Sequence, residues 1–295
     1  MKVKAHWLQA DSAEEKIKIS KSGNVRNSID PDYLIIHYTA TDTAQSAINW
    51  FMDTQSNPDK IAAHIVLDYE GTITQLIPFD HRANHAGTST WNGVDSLNSH
   101  AIGIEIVNPG FVQKTPNGSF QRTVDNETKT YPATEAHQFL EIHHKHKFWE
   151  AHYWRLFPDV QLAALYQLCK VLVEEYHLVT ALGHDDISPA RKADPGPAFP
   201  WDTFKNHVFG LPNNTGKIYI VNTDGTNFRT SFSTTAPATK QLHKGYEVGF
   251  METNGAWSKV YPVNSESEVL VTEAGKSKSV KNTGWIFSSL LTPKA

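Results

Sequence analysis

Tyr33-Leu34-Ile35-Ile36-His37-Tyr38-Thr39 is the run on which the fold turns. It is too apolar to face water on both sides and short enough for a central strand, which points to an α/β layer. A histidine closing such a strand sits where ligands collect in sheets of this class. Just upstream, Asp30-Pro31 marks a turn, and residues 1–30 read as a polar extension with weak strand signals at His6–Leu8 and Ile17–Ile19. Downstream, Thr43 to Met52 reads as a helix, with Ala47, Ile48 and Phe51 at helical spacing behind Thr43 or Asp42 as cap. Ala62–Leu67 and Thr72–Ile77, joined through Asp68-Tyr69-Glu70-Gly71, read as a hairpin.

A second strand, Ala101-Ile102-Gly103-Ile104-Glu105-Ile106-Val107, puts its isoleucines on one face and Gly103 and Glu105 on the other. A lone carboxylate in such a strand is costly unless a cation or metal meets it. With glycine as its same-face neighbour, Glu105 is expected to border an open cleft. The third informative stretch, Gly183 to Trp201, holds His184, Lys192 and Asp194 in a path stiffened by prolines 189, 195, 197 and 200. His37, His184 and Asp194 have the ligand types of a catalytic zinc site, three protein ligands with the fourth position left for water. The loops around Arg82-Ala83-Asn84-His85-Ala86-Gly87 and Trp91-Asn92-Gly93 carry hydrogen-bonding groups suited to the wall of a polar site, or serve as plain connections. No H-E-x-x-H, G-x-S-x-G, Walker or G-x-G-x-x-G motif competes with this arrangement.

Elsewhere, Asn108 to Thr130 is polar and reads as loop, and Ala133 to Trp149 reads as helix. On such a helix His137, Glu141 and His144 share one face, expected to be solvated, with metal binding as the minor alternative. Pro158 to Tyr176 is the clearest helix, striped by Leu162, Leu165, Cys169, Leu172 and Tyr176. Cys169 lies on that stripe and reads as a small core hydrophobe. After residue 216 the texture changes to short strand-like runs at Lys217–Val221, Tyr246–Met251, Trp257–Tyr261, Glu268–Val271 and Trp285–Phe287, as expected of a small all-β module. The domain division is therefore 1–210, a linker at 211–216, and 217–295.

The 295 residues carry a formal charge of −4, which gives no reason to expect a nucleic-acid partner. One cysteine excludes an intrachain disulfide framework, and no apolar run is long enough to span a bilayer. The first residues lack the apolar core of a secretory signal.

Taken together, Ile35–Ala40, Ala63-His64-Ile65, Gly71–Pro78, Arg82-x-x-His85-Ala86-Gly87, Ile102–Glu105 and Gly183-His184-x-Asp186-Ile187-x-Pro189-x-Arg191-Lys192-x-Asp194-Pro195-Gly196-Pro197 resemble the zinc-dependent N-acetylmuramoyl-L-alanine amidases. The resemblance runs from about Asp32 to Phe204. It implies the fold shared by peptidoglycan recognition proteins and the T7-type amidase lysozyme, a central mixed β-sheet flanked by helices. Phe228-Arg229-Thr230, Lys244-Gly245, Asn254-Gly255-x-Trp257-Ser258-Lys259-Val260 and Gly284-Trp285-Ile286 are similar, more loosely, to bacterial SH3-like barrels.

The resemblance implies one Zn2+ on His37, His184 and Asp194, with Glu105 as the general base and Lys192 as the cation that stabilises the oxyanion. It implies glycan and peptide contacts from Arg82, His85, Trp91 and Asn98. The bond cut would be the amide between the lactyl group of N-acetylmuramic acid and L-alanine, in peptidoglycan or muropeptides. One departure is Ala63, where some members place a tyrosine before the second-strand histidine; others with alanine there are active. The runner-up reading is a non-catalytic peptidoglycan-binding protein, and a weaker third is a His-rich metal-storage or regulatory protein centred on residues 137–152. The expected place of action is the cell wall, in the periplasm or outside, with the cytoplasm as the alternative. Oligomeric state is left open.

Overall fold

A computed structural model of the chain describes residues 1–124, 127–146, 153–209, 218–263, 268–273, 276–281 and 283–294. They form two compact units, Met1–Trp201 and Asp202–Ala295. The expected linker at 211–216 lies outside the described residues, as does the end of the His-rich segment, 147–152.

The first unit is built on a six-stranded mixed sheet. Its strands are β1 (Ile17–Ile19), β2 (Tyr33–Tyr38), β3 (Ile65–Leu67), β4 (Ile73–Gln75), β5 (Ala101–Ile106) and β6 (Thr180–Gly183), in the order β6-β2-β5-β3-β4-β1. Only β3 and β4 pair antiparallel, as the hairpin between them requires. The weak strand signal at Ile17–Ile19 is real: that segment pairs in parallel with β4 and extends the sheet. Leu34, Ile35, Ile36, Ile65, Val66, Leu67, Ile102 and Ile104 are fully buried, which is why these runs are apolar on both faces. Each such side chain contributes roughly 1.5–3 kcal/mol over the exposed state.

Helix α1 (Ala44–Met52) starts where the sequence places it, with Thr43 Oγ1 accepting from the Ser46 N–H. It buries Ala47 and Phe51 against Ala62, Ala63, Val66 and Val107. Helix α2 (Asp159–Tyr176) follows Pro158 and buries Leu165, Leu168, Cys169 and Leu172. Burial without a polar partner pushes the Cys169 thiol well up, so it packs as a hydrophobe.

Two expectations are overturned between β5 and α2. Residues 111–131 are not loop but three antiparallel strands, Phe111–Lys114, Phe120–Val124 and Glu127–Tyr131. Among the described residues 133–146 the expected helix is not formed: Ala133–Gln138 is a 3-10 turn and Phe139–Glu141 a strand paired with Tyr153–Arg155. These five strands form one sheet. Phe139 decides the matter by stacking on Phe120 at 4.4 Å and meeting Tyr131 edge-on at 5.4 Å.

In the second unit a seven-stranded antiparallel sheet contains every expected strand-like run but Glu268–Val271, and adds Thr226–Arg229, Ala238–Leu242 and Leu291–Pro293. Glu268–Glu273 instead pairs with Lys276–Lys281 as a separate hairpin. The unit's core is Tyr219, Val221, Phe228, Val248, Phe250, Val260 and Ile286.

Candidate metal centre

The pairing of β2 with β5 and β6 brings the chemistry together. In the parallel register Ile35 faces Gly103 and His37 faces Glu105, so His37 and Glu105 leave the sheet on one face. Gly183, the last residue of β6, pairs with Ile36, and the next residue, His184, opens the one-turn helix α3 (His184–Ile187). The loop that follows returns to bond itself, with the Asp185 N–H donating to the Asp194 carbonyl at 2.9 Å.

His37 Nδ1, His184 Nδ1 and Asp194 Oδ2 converge. The separations are 2.9 Å between the two nitrogens, 2.9 Å from His37 to Asp194 and 3.0 Å from His184 to Asp194. All three residues are buried, and together they form a group able to hold a metal ion. The outer ring contacts settle where the imidazole protons lie. His184 Nε2 faces the Ala86 carbonyl at 3.1 Å, so that nitrogen carries the proton and Nδ1 is bare. His37 Nε2 faces His85 Nδ1 at 3.1 Å, and His85 Nε2 faces the Ala101 carbonyl at 3.4 Å. His85 therefore donates from Nε2 and accepts on Nδ1, which leaves His37 Nδ1 bare as well. Three lone pairs then point at one spot with no proton between them, an arrangement that a cation relieves. Two imidazole nitrogens and one carboxylate oxygen with a fourth position open is a donor set that fits zinc.

The electrostatics agree. Burial, then the neighbouring His184, lowers His37 to about 4, so its ring is a neutral ligand at pH 7. Glu105 is the opposite case. Burial and the Asp194 charge push it well above the ordinary carboxyl value, opposed by the Lys192 ammonium. Its Oε2 is buried with no hydrogen-bond partner among the described residues.

Beside the triad runs a cleft of about 1060 Å³, lined by Arg82, Asn84, His85, Asn98, His184, Arg191 and Lys192 among others. Lys192 stands on its wall, close enough for its charge to act on both Glu105 and His37. The expected open cleft over Gly103 is filled: a Cβ there would lie 2.4 Å from the His85 ring, so glycine is what lets His85 reach His37. Asn98 Oδ1 accepts from the N–H groups of His85 and Ala86, at 2.9 and 2.7 Å, and so shapes that loop. Arg82 lines the cleft with its Nε buried and without a hydrogen-bond partner among the described residues. Trp91 packs on the cluster of Ile35, Leu97 and Leu182, while its neighbours Thr90 and Asp95 line the cleft.

Sequence reasoning missed His144. It was expected on a solvated helix face with His137 and Glu141; among the described residues that helix is not formed, and His144 is buried against the loop that carries His184 and Asp194. No local pattern carries that information.

Residues 27–197 match the N-acetylmuramoyl-L-alanine amidase family. The chain is 30% identical over 220 residues to the N-acetylmuramoyl-L-alanine amidase AmiD of Escherichia coli K12, covering 70% of this chain and 67% of that protein. It is 27% identical over 199 residues to the 1,6-anhydro-N-acetylmuramyl-L-alanine amidase AmpD of Haemophilus influenzae, covering 62% of this chain and 85% of that one. A solved structure of E. coli AmiD with anhydro-N-acetylmuramic acid-L-Ala-D-gamma-Glu-L-Lys is 28% identical, covers 68% of this chain and 60% of its own, and superposes with a TM-score of 0.42.

Proposed function

The chain belongs to the N-acetylmuramoyl-L-alanine amidase family, and from that premise we propose that it hydrolyses the amide between the lactyl group of N-acetylmuramic acid and L-alanine, with zinc held by His37, His184 and Asp194. The observation that carries this reading is the bare Nδ1, Nδ1, Oδ2 triad beside a carboxyl group with a buried, unpartnered oxygen. Zinc in that position supplies Lewis acidity, which makes a water acidic near pH 7 and polarises the scissile carbonyl.

Glu105 takes the proton from the attacking water. Its raised affinity for protons matches that role, and the same carboxyl then returns the proton to the departing α-amino nitrogen of L-alanine. Lys192 faces the negative charge that grows on the carbonyl oxygen. His85 and Asn98 hold the ligand shell from behind, and Arg82 offers a cation to the substrate along the cleft wall.

The C-terminal unit, read as an SH3-like module, favours polymeric cell-wall peptidoglycan over a small soluble muropeptide, because a soluble substrate needs no anchoring. That reading places the site of action at the wall, in the periplasm or outside the cell. Turnover of N-acetylmuramoyl-L-alanyl peptides with and without chelator tests the chemistry. Release of the peptide amine that stops on chelation is expected; cleavage indifferent to chelator, or tight binding without cleavage, overturns it. Comparing intact sacculi with soluble anhydro-muropeptide tests the substrate's form.

A further inference from the structure

His184 and Asp194 lie ten residues apart, and the turn between them is gripped from outside by the segment 142–146. We propose that His144 is a positioning residue that holds the two ends of this loop together and thereby sets metal affinity; the proposal rests on the metal assignment made above.

The His144 side chain is 1% exposed. Its Nε2 lies 3.0 Å from Asp185 Oδ2 and 3.2 Å from the Ala193 carbonyl, and its Nδ1 accepts from the His146 N–H at 3.1 Å. One N–H is thus shared between the residue just after one ligand and the residue just before the other. Two neighbours grip the same loop. His146 Nε2 meets the Asp185 carbonyl at 2.8 Å, and Lys145 Nζ stands 3.1 Å from the Asp185 carboxylate and 2.6 Å from that of Asp186. Asp186 in turn accepts from the Gly183 N–H, immediately ahead of His184, at 2.7 Å. Behind the segment, the Trp154 indole donates to the Ile142 carbonyl at 3.1 Å. The same indole covers Gly196, where a Cβ would lie 2.5 Å from the ring.

His144 does not line the cleft. A bond from it to substrate therefore does not explain its place, whereas the loop it clasps carries two ligands. A loop clasped at both ends leaves His184 and Asp194 less freedom to lose when a metal binds between them. Groups that bond a ligand directly are typically worth about 10–100-fold in metal affinity, and His144, one residue removed from each ligand, is assigned that scale because it clasps both at once.

The test is zinc affinity by chelator competition, with the melting temperature of the metal-free protein and KM for a muropeptide measured alongside. His144→Ala is expected to weaken zinc binding about 10–100-fold, with KM within about twofold and kcat largely recovered at saturating zinc. His144→Gln, which returns an N–H near the Nε2 position, is expected to recover most of the affinity. Wild-type affinity in a folded His144→Ala protein, whatever its melting temperature, overturns the proposal. Should that variant not fold, Lys145→Met, a change at a partly exposed side chain that grips the same loop, is expected to weaken zinc binding by less than His144→Ala would, and an unchanged affinity there overturns the proposal equally. A wild-type protein that binds no zinc overturns the metal assignment itself, whereas zinc bound equally by wild type and variants overturns only the role given to His144.

Discussion

His37 and Glu105 stand opposite each other in the parallel ladder between β2 and β5, so one member of the His-His-Asp group and a protonatable carboxyl share one face of the sheet. Their spacing is fixed by backbone hydrogen bonds and not by loops. Glu105→Gln keeps the shape and removes the base. It is expected to lower kcat by about 10²–10⁴ while zinc stays bound, as read from single-turnover kinetics and metal content. Lys192→Ala is expected to cost about 10²–10³ in kcat. Turnover near wild type in either variant removes the role given to that residue.

Chelation is expected to abolish activity and added zinc to restore it. Because a ligand that binds only the folded state stabilises it by mass action, zinc at 1,000 times its Kd would add about 4 kcal/mol. A melting temperature indifferent to zinc would contradict a resident metal.

Gly103→Ala tests the contact between the glycine and the ring packed on it. The new Cβ would press into His85, at a cost of about 1–3 kcal/mol for overpacking. Since the displaced ring is the one that orients His37, zinc affinity should fall together with the melting temperature. Were only stability to fall, His85 would be packing and not orientation.

His64 makes stability depend on pH. It accepts from the Gly103 N–H at 3.0 Å and donates to the His81 carbonyl at 2.8 Å, and burial holds its pKa down to about 4 although the bond to that carbonyl raises it. The unfolded chain takes up this proton near 6.5 and the folded chain only near 4, so the contribution is complete above pH 6.5 and is lost as pH falls through 4. That gap is worth about 3 kcal/mol. Urea unfolding between pH 7 and 4.5, with chelator present throughout, should show wild type losing about 2–3 kcal/mol more than His64→Gln. Equal slopes would assign the dependence elsewhere.

What the chain reveals unaided follows the physics of each segment. Tyr33–Tyr38 and Ala101–Ile106 are buried on both faces, and continuous apolar runs announce that. The triad is legible because imidazole and carboxylate at the ends of such elements have few other uses. Glu127–Thr130 is exposed at every position, so no alternation marks it as strand. His85 lines the cleft and also bonds His37; the glycine in mid-strand at 103 was the available hint of that second contact, since such residues mark close approach. His144 finds its partner 41 residues away, beyond the reach of any periodicity.

The offset of 147 positions between His37 and His184 also imposes an order in time. At a synthesis rate of about 5–20 residues per second, His37 leaves the ribosome roughly 7–30 s ahead of the other two donors. Strand β6, which completes the ladder beside β2, is made only just before His184. A nascent chain therefore presents one lone imidazole from the triad, too weak a trap to hold a metal early, and the centre can assemble only once almost the whole first unit exists.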